Sequence, residues 1–247
     1  MKKGIRVSYS YSLFLLTNFV SCCIMLVSDS LLFLCSWGCC LIMSHDELKA
    51  YILNATLLGN VITSTDSISI NFSREAVCRY LKRELIGCIY IDGCYIKLDD
   101  KGCIKLVYYD GDEGGMDFGD TIDIIGGFSF YLNETVREVS GSKVRTIGPF
   151  GFMGSTIEAV DFPNLYSLCP ASFANTDLTE VSFPELSSIS RGAFYQCHKL
   201  RRVNAPKCLL IKDLAFSGCD SLDEVIYSKD AILENDVYTQ RGPVLLL

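Results

Sequence analysis

From Val136 onward the apolar positions recur at a spacing that belongs to neither a helix nor a lone strand. Val136, Ile157, Leu178, Leu200 and Leu222 lead successive units 21, 21, 22 and 22 residues apart. Three residues after each leader stands a second column, Val139, Val160, Val181, Val203 and Val225. Farther along lie Ile147, Leu168, Ile189 and Ile211, and then Phe152, Phe173, Phe194 and Phe216. One such unit is too short to bury its own Val, Ile and Phe, whereas stacked units share a core, so the column agreement predicts a solenoid of stacked coils. The L-x-x-V-x-x-P stretch predicts a strand that stops at Pro163, Pro184 or Pro206, because proline has no N–H to give a ladder. Ile122, Ile125 and Phe130 fit the same offsets and predict one more coil upstream, its leading half degenerate around Gly114 to Asp120.

Before the repeats the pattern changes. Ser44 to about Leu58 carries helix signals, with Ser44 and Glu47 as a capping box. From Ser73 through "REAVCRYLKRELI" the residues Ala76, Val77, Tyr80, Leu81 and Leu85 share a helical face. "GCIYIDGCYIKLDDKGCIKLVYY" then alternates in three runs divided by Asp92-Gly93 and "DDKG", which predicts a three-stranded meander. Pairing across those turns places Ile89, Ile91, Cys94, Ile96, Leu98 and Val107 on one face for the helices to cover. The organisation expected is an apolar leader over 1–43, a small α+β module over 44–112, the solenoid over 113–234 and a tail over 235–247. The meander is placed to seal the first edge of the stack, and Leu245 to Leu247 to cap the last coil.

In the leader, "MKKGIR" precedes apolar runs at 11–27 and 31–43, each short of the ~20 residues of a straight membrane span. The basic start resembles a signal sequence or signal anchor, without a clean small-x-small cleavage site. Residues 11–43 are therefore a candidate membrane anchor, either as one interrupted span or as a hairpin. "MSHDEL" at Met43 also reads as a protein start, which would leave the product in the cytoplasm. Sequons stand at Asn54, Asn71 and Asn133 and matter only on a eukaryotic secretory route.

Charge narrows the partners. The chain of 247 residues has net charge -7, and the stretch from Glu113 to Glu234 holds 17 acidic against 10 basic residues, the remainder being balanced at 12 of each. No Lys/Arg stripe is present, which argues against nucleic acid. Thirteen cysteines include no C-x-x-C pair, and Cys197 and Cys219 recur at one place in successive units, as packing residues do. Cys88, Cys94 and Cys103 are spaced so that Cys88 faces away from Cys94 on the pleat, against a metal site. "DGDEGGMDFGD", Asp110 to Asp120, matches calcium-loop offsets one, three and six but has Thr121 at the twelfth position, and reads as a solvated acidic linker. His45 and His198 are the only histidines. Adjacent Cys197 and His198 do not make a catalytic dyad, and no G-x-S-x-G, Walker, H-E-x-x-H or dinucleotide motif occurs. Neither an enzyme nor a cofactor is expected.

The columns, with Pro163, Pro184 and Pro206 after the strand and Ala193-Phe194 and Ala215-Phe216 before the cysteines, resemble the BspA-type leucine-rich repeat. The sequence departs from that pattern where Gly151 and Ser172 replace the Ala and where Ser155 and Thr176 replace the Cys. The resemblance implies an α/β fold, a right-handed solenoid with a parallel sheet on its concave side, and a family of mostly non-enzymatic binding and surface-adhesion proteins. Alternation about the Val column turns its neighbours to solvent. Of these, Asp161, Glu180, Ser182, Arg202, Asn204, Glu224 and Ile226 are the candidate ligand-binding residues, for a protein or a glycan. Self-association through the solenoid ends is the alternative.

Overall fold

The computed structural model describes residues 45–57 and 75–238, with short strands at 24–27, 30–33, 39–40 and 244–245. Two compact units divide at Ser36 and Trp37. In the first, Ile24–Val27 pairs antiparallel with Ser30–Phe33. The rest of the leader up to Ser36, and Leu41 to Ser44 with the Met43 start and the Ser44 cap, lie outside the described residues, as do Asn71 and the side chain of Asn54. Among the described residues no helix is long and apolar enough to cross a membrane.

The second unit is a solenoid whose coils carry two ladders. The longer strands are Gly115–Asp117, Glu138–Ser140, Ala159–Asp161, Glu180–Ser182, Arg202–Ala205 and Glu224–Tyr227. They pair parallel in two sets divided between Ala159–Asp161 and Glu180–Ser182, with Cys39–Cys40 added before Gly115–Asp117 and Val244–Leu245 after Glu224–Tyr227. Shorter strands, from Ile124–Ile125 through Thr146–Ile147, Ser167–Leu168, Ser188–Ile189 and Leu210–Ile211 to Ile232–Leu233, form a second parallel ladder. The sequence columns become the core, since the side chains of Val136, Ile157, Leu178, Leu200, Ile147, Leu168, Ile189 and Ile211 are all buried in one cluster. Parallel coils with single-residue register keep each apolar column facing its equivalent, which is why the 21- to 22-residue period is held.

The third side of each coil is built from turns. Its phenylalanines stack ring on ring: Phe130–Phe152 at 4.6 Å, Phe152–Phe173 at 5.1 Å, and Phe173–Phe194 and Phe194–Phe216 at 5.6 Å each, all within 15° of parallel. Tyr109 precedes this row and Tyr238 follows it, each 5.5 Å from its neighbour. Backbone bonds lock the rings in step, the Phe152 N–H donating to Ser172 O and the Phe173 N–H to Ala193 O. The chain turns twice per coil through the left-handed region. Phe128, Phe150, Ala171, Gly192, Leu214 and Asp236 occupy the first such column, and Leu132, Gly154, Asn175, Gln196 and Gly218 the second. Only three of these eleven are glycine, so the stack imposes the conformation on residues that disfavour it.

The sequence departures from the repeat are accommodated by hydrogen bonds. Where Ser replaces Ala, the Ser172 hydroxyl donates to Cys169 O at 2.9 Å. Where Ser and Thr replace Cys, Ser155 and Thr176 donate to Phe152 O and Phe173 O at 2.7 and 2.9 Å. The Cys197 and Cys219 thiols donate to Phe173 O and Phe194 O, one coil back, at 2.9 and 3.0 Å. Each small donor therefore adds a bond to a carbonyl within the coils, and those of Phe152 and Phe194 also accept the Ser155 and Cys197 N–H groups.

The small module joins this stack directly. Helices α1 (His45–Leu57) and α2 (Glu75–Glu84) accompany a meander of Ile89–Ile91, Cys94–Leu98 and Ile104–Tyr109. The last meander strand pairs parallel with Ile124–Ile125, Leu106 facing Ile125, so the meander and the shorter strands form one nine-stranded sheet. The meander thereby covers the first edge, as expected.

Three expectations need correction. A bulge between Tyr95 and Ile96 shifts the register so that Leu106, not Val107, pairs with Ile96 and enters the core beside Ile89 and Cys94; Val107 faces the other way, with Leu85, Cys88 and Tyr95. The helices do not share one face, because Leu48 and Ile52 of α1 cover the core side while Val77, Leu81 and Leu85 flank α2's course over the opposite side. The run from Asp110 to Asp120 is not a solvated linker. It contains strand Gly115–Asp117, whose Met116 takes the Val column opposite Val139 and whose neighbour Phe118 is fully buried. A methionine in place of valine kept that half-coil out of the sequence pattern.

Candidate functional site

Alternation along the longer strands turns one set of side chains outward. Val139, Val181, Val203 and Val225 are buried, while Asp161, Glu180, Ser182 and Arg202 are exposed and Asn204, Glu224 and Ile226 half-buried. All seven candidate residues therefore lie on one side of the ladder, as the pleat requires. They do not lie on one sheet. The ladder is divided between Ala159–Asp161 and Glu180–Ser182 into two four-stranded sheets, with Asp161 on the first and the other six on the second.

Register sets the electrostatics of this face. Arg202 lies opposite Glu224, and its Nε donates to the Glu224 carboxylate. Asn204 donates from Nδ2 to Ser182 Oγ at 3.0 Å. Upstream, the Ser140 hydroxyl donates to Asp117 Oδ1 at 2.7 Å. Elsewhere on the coils Lys207 holds Glu185 at 2.7 Å, Lys199 holds Asp177 at 3.0 Å and Arg191 holds Asp213 at 3.2 Å. These pairs join residues 22 apart, one coil to the next. Arg202 is thus already neutralised, and the described residues show no basic partner for Glu138, Asp161 or Glu180. The pair removes one charge of each sign, so the charge left unpaired on this face is acidic. The pairing was legible in principle, since residues one period apart must meet, and Arg202 and Glu224 stand one period apart in the chain.

The other chemistry-bearing residues are placed structurally. Cys197 is fully buried, whereas His198 turns outward and meets Asp220 Oδ2 through Nδ1 at 2.7 Å, so the adjacent pair points in different directions. Cys88 and Cys94 belong to clusters on opposite sides of the meander. Burial pushes the Cys88 thiol up to about 12, against the opposing influence of Lys97. Among the described residues no three metal-ligating side chains gather.

Stacked parallel coils, a repeated small-residue/Phe pair and turns on the third side define the kind of repeat. Residues 114–223 match the family described as the BspA type leucine rich repeat region, in six copies. No protein of curated function matches the chain. Among solved structures, a leucine-rich cell surface protein from Faecalibacterium prausnitzii A2-165 is similar, at 22% identity and a TM-score of 0.53, over 57% of this chain and 39% of that one. The Treponema pallidum leucine-rich repeat protein is similar at 18% identity and a TM-score of 0.46, over 56% and 85%. The pneumococcal vaccine antigen PcpA is similar at 18% and 0.47, over 62% and 48%. The first likeness shows a leucine-rich-repeat fold, and the chain spans about two fifths of that protein's length.

Proposed function

We propose that the BspA-type region is a non-catalytic recognition module, displayed at a cell surface, that binds a protein or glycan through the outward residues of the longer strands. The observation that carries this reading is a ladder of side chains already fixed by register, which lowers the entropy lost on binding. Asp161 and Glu180 lie on either side of the ladder's division without a basic partner among the described residues, and supply the free charge of the face. The similar fold of a bacterial cell surface protein supports surface display. Residues 11–43 are the proposed means of anchoring. The test is a binding survey of the full chain against matrix proteins and a glycan array, repeated with Asp161→Lys/Glu180→Lys. A ligand whose affinity drops at least about tenfold while Tm is unchanged supports the reading; an unaltered affinity removes this face from consideration.

A second reading, assembly through the solenoid end, is favoured by one observation. Ile232–Leu233 is the edge strand of the nine-stranded sheet, and Ile232 and nearby Leu209 are 68% and 53% exposed. An apolar edge invites pairing with a second copy. A mass that rises with concentration in light scattering, and becomes monomeric with Ile232→Lys, would establish it.

A further inference from the structure

The face of the meander turned away from the core carries a row of tyrosines. Register puts Tyr90 beside Tyr95 and Tyr95 beside Tyr108, with ring centroids 4.8 and 6.0 Å apart. Tyr95 is held by its contacts with Leu85, Cys88 and Val107, while Tyr90, on the edge strand, is 55% exposed. The chain brings a carboxylate to this row, because the Asp110 N–H donates to Gly93 O at 2.9 Å and so fixes Asp110 against the first hairpin. The Tyr95 hydroxyl donates to Asp110 Oδ2 at 3.1 Å, and Tyr90 lies close enough to interact with the same carboxylate.

Asp110, which is exposed, differs from the half-buried Glu84 of the same module. Glu84 is held by Lys105 at 3.0 Å and Lys97 at 3.3 Å, whereas Asp110 has only neutral hydroxyls and backbone, and no described Lys or Arg pairs with it. A carboxylate offers about four acceptor positions, so the tyrosine contacts leave capacity unused. A cation that fits must reach a carboxylate at the edge of an exposed aromatic face. A guanidinium meets both demands at once, since it is planar, stacks on tyrosine and forks onto carboxylates, whereas an ammonium is a compact, strongly hydrated point charge.

We propose that Tyr90, Tyr95 and Asp110 form a binding site for a guanidinium group, the arginine side chain of a polypeptide partner. The site is on the meander and stands independently of the reading of the longer strands. The test titrates the full chain with acetyl-Gly-Arg-Gly-amide, following tyrosine ring resonances, in parallel with the lysine and citrulline peptides. Saturable binding of the arginine peptide is expected, with weaker binding of lysine and none of citrulline. Asp110→Asn should weaken it at least about tenfold, as loss of a charge-assisted bond does. Tyr90→Ala, at an exposed position that leaves the fold intact, should weaken it about threefold. Equal binding of the citrulline or lysine peptide, or an arginine affinity unchanged by Tyr90→Ala, overturns the assignment.

Discussion

At the scale of single residues, the stack dictates conformation and hydrogen bonding, and the side chain that occupies a position is a secondary matter. Gly192 sits at φ +60°, and a Cβ built there would meet only Tyr195 Cβ at 3.6 Å, so space is available and conformation alone resists substitution. Gly192→Ala is expected to destabilise by about 1 kcal/mol. Ala171, at φ 53° in the same column one coil earlier, should show the opposite sign, Ala171→Gly stabilising by up to about 1 kcal/mol. Urea unfolding of the two variants checks both, and effects of the same sign would refute the account. Thr176 permits a second comparison in the buried donor column. Thr176→Cys should be nearly neutral, since at 197 and 219 a cysteine in this place donates to the phenylalanine carbonyl one coil back. Thr176→Val, which keeps the shape and deletes the hydroxyl that reaches Phe173 O at 2.9 Å, should cost about 1 kcal/mol.

At the scale of elements, what could be read from the chain followed from periodicity. The columns, the helices and the three meander strands were legible because each repeats an apolar spacing that only one backbone geometry satisfies. The bulge at Tyr95 and Ile96 was not, because an inserted residue leaves the alternation of each strand intact and changes only which partner it faces. That misread placed Val107 in the core and both helices on one side. The helix so displaced offers a prediction. Burial raises the Glu84 carboxyl, but Lys105 and Lys97 outweigh it and the net shift is downward. A folded pKa below the unfolded one contributes stability above the ordinary carboxylate range and loses it as pH falls through the folded value. Glu84→Gln should therefore destabilise at neutral pH by about 1 kcal/mol or less, given solvent screening, and the gap from the native chain should close below the folded pKa of Glu84. A gap that persists in acid would assign the effect to packing. The proposed binding residues were legible as a surface by alternation, and the pairing of their charges follows only when the period of the repeat is read across coils.

At the scale of the molecule, the two ladders are not equivalent. The shorter strands and the meander make one unbroken nine-stranded sheet from Ile89–Ile91 to Ile232–Leu233, while the longer strands divide between Ala159–Asp161 and Glu180–Ser182. Elsewhere the pattern of bonds is regular, with Gly141 N–H donating to Asp161 O, Phe183 N–H to Asn204 O, and the N–H groups of Glu158 and Arg201 to the preceding coil. Among the described residues no backbone bond of this kind crosses the division, so the Phe162 and Glu180 amides lack the partners that Phe183 and Arg202 have. The core beneath continues without a gap, Phe152, Phe173 and Phe194 stacking past this level. Coil-to-coil cohesion there rests on the shorter strands and the rings, which makes it the level at which the outward face can open without unstacking the solenoid. Local opening should then be visible in hydrogen exchange. The Phe162 and Glu180 amides should exchange at least about tenfold faster than Phe183 and Arg202, equivalent to ~1.4 kcal/mol less protection, while Tyr166 and Ser187 beside the other ladder, whose amides donate to Arg145 O and Tyr166 O, exchange alike. Equal protection at Phe162 and Phe183 would mean that the longer strands form a single ladder in solution. In that case Asp161 and Glu180 would act as parts of one rigid face.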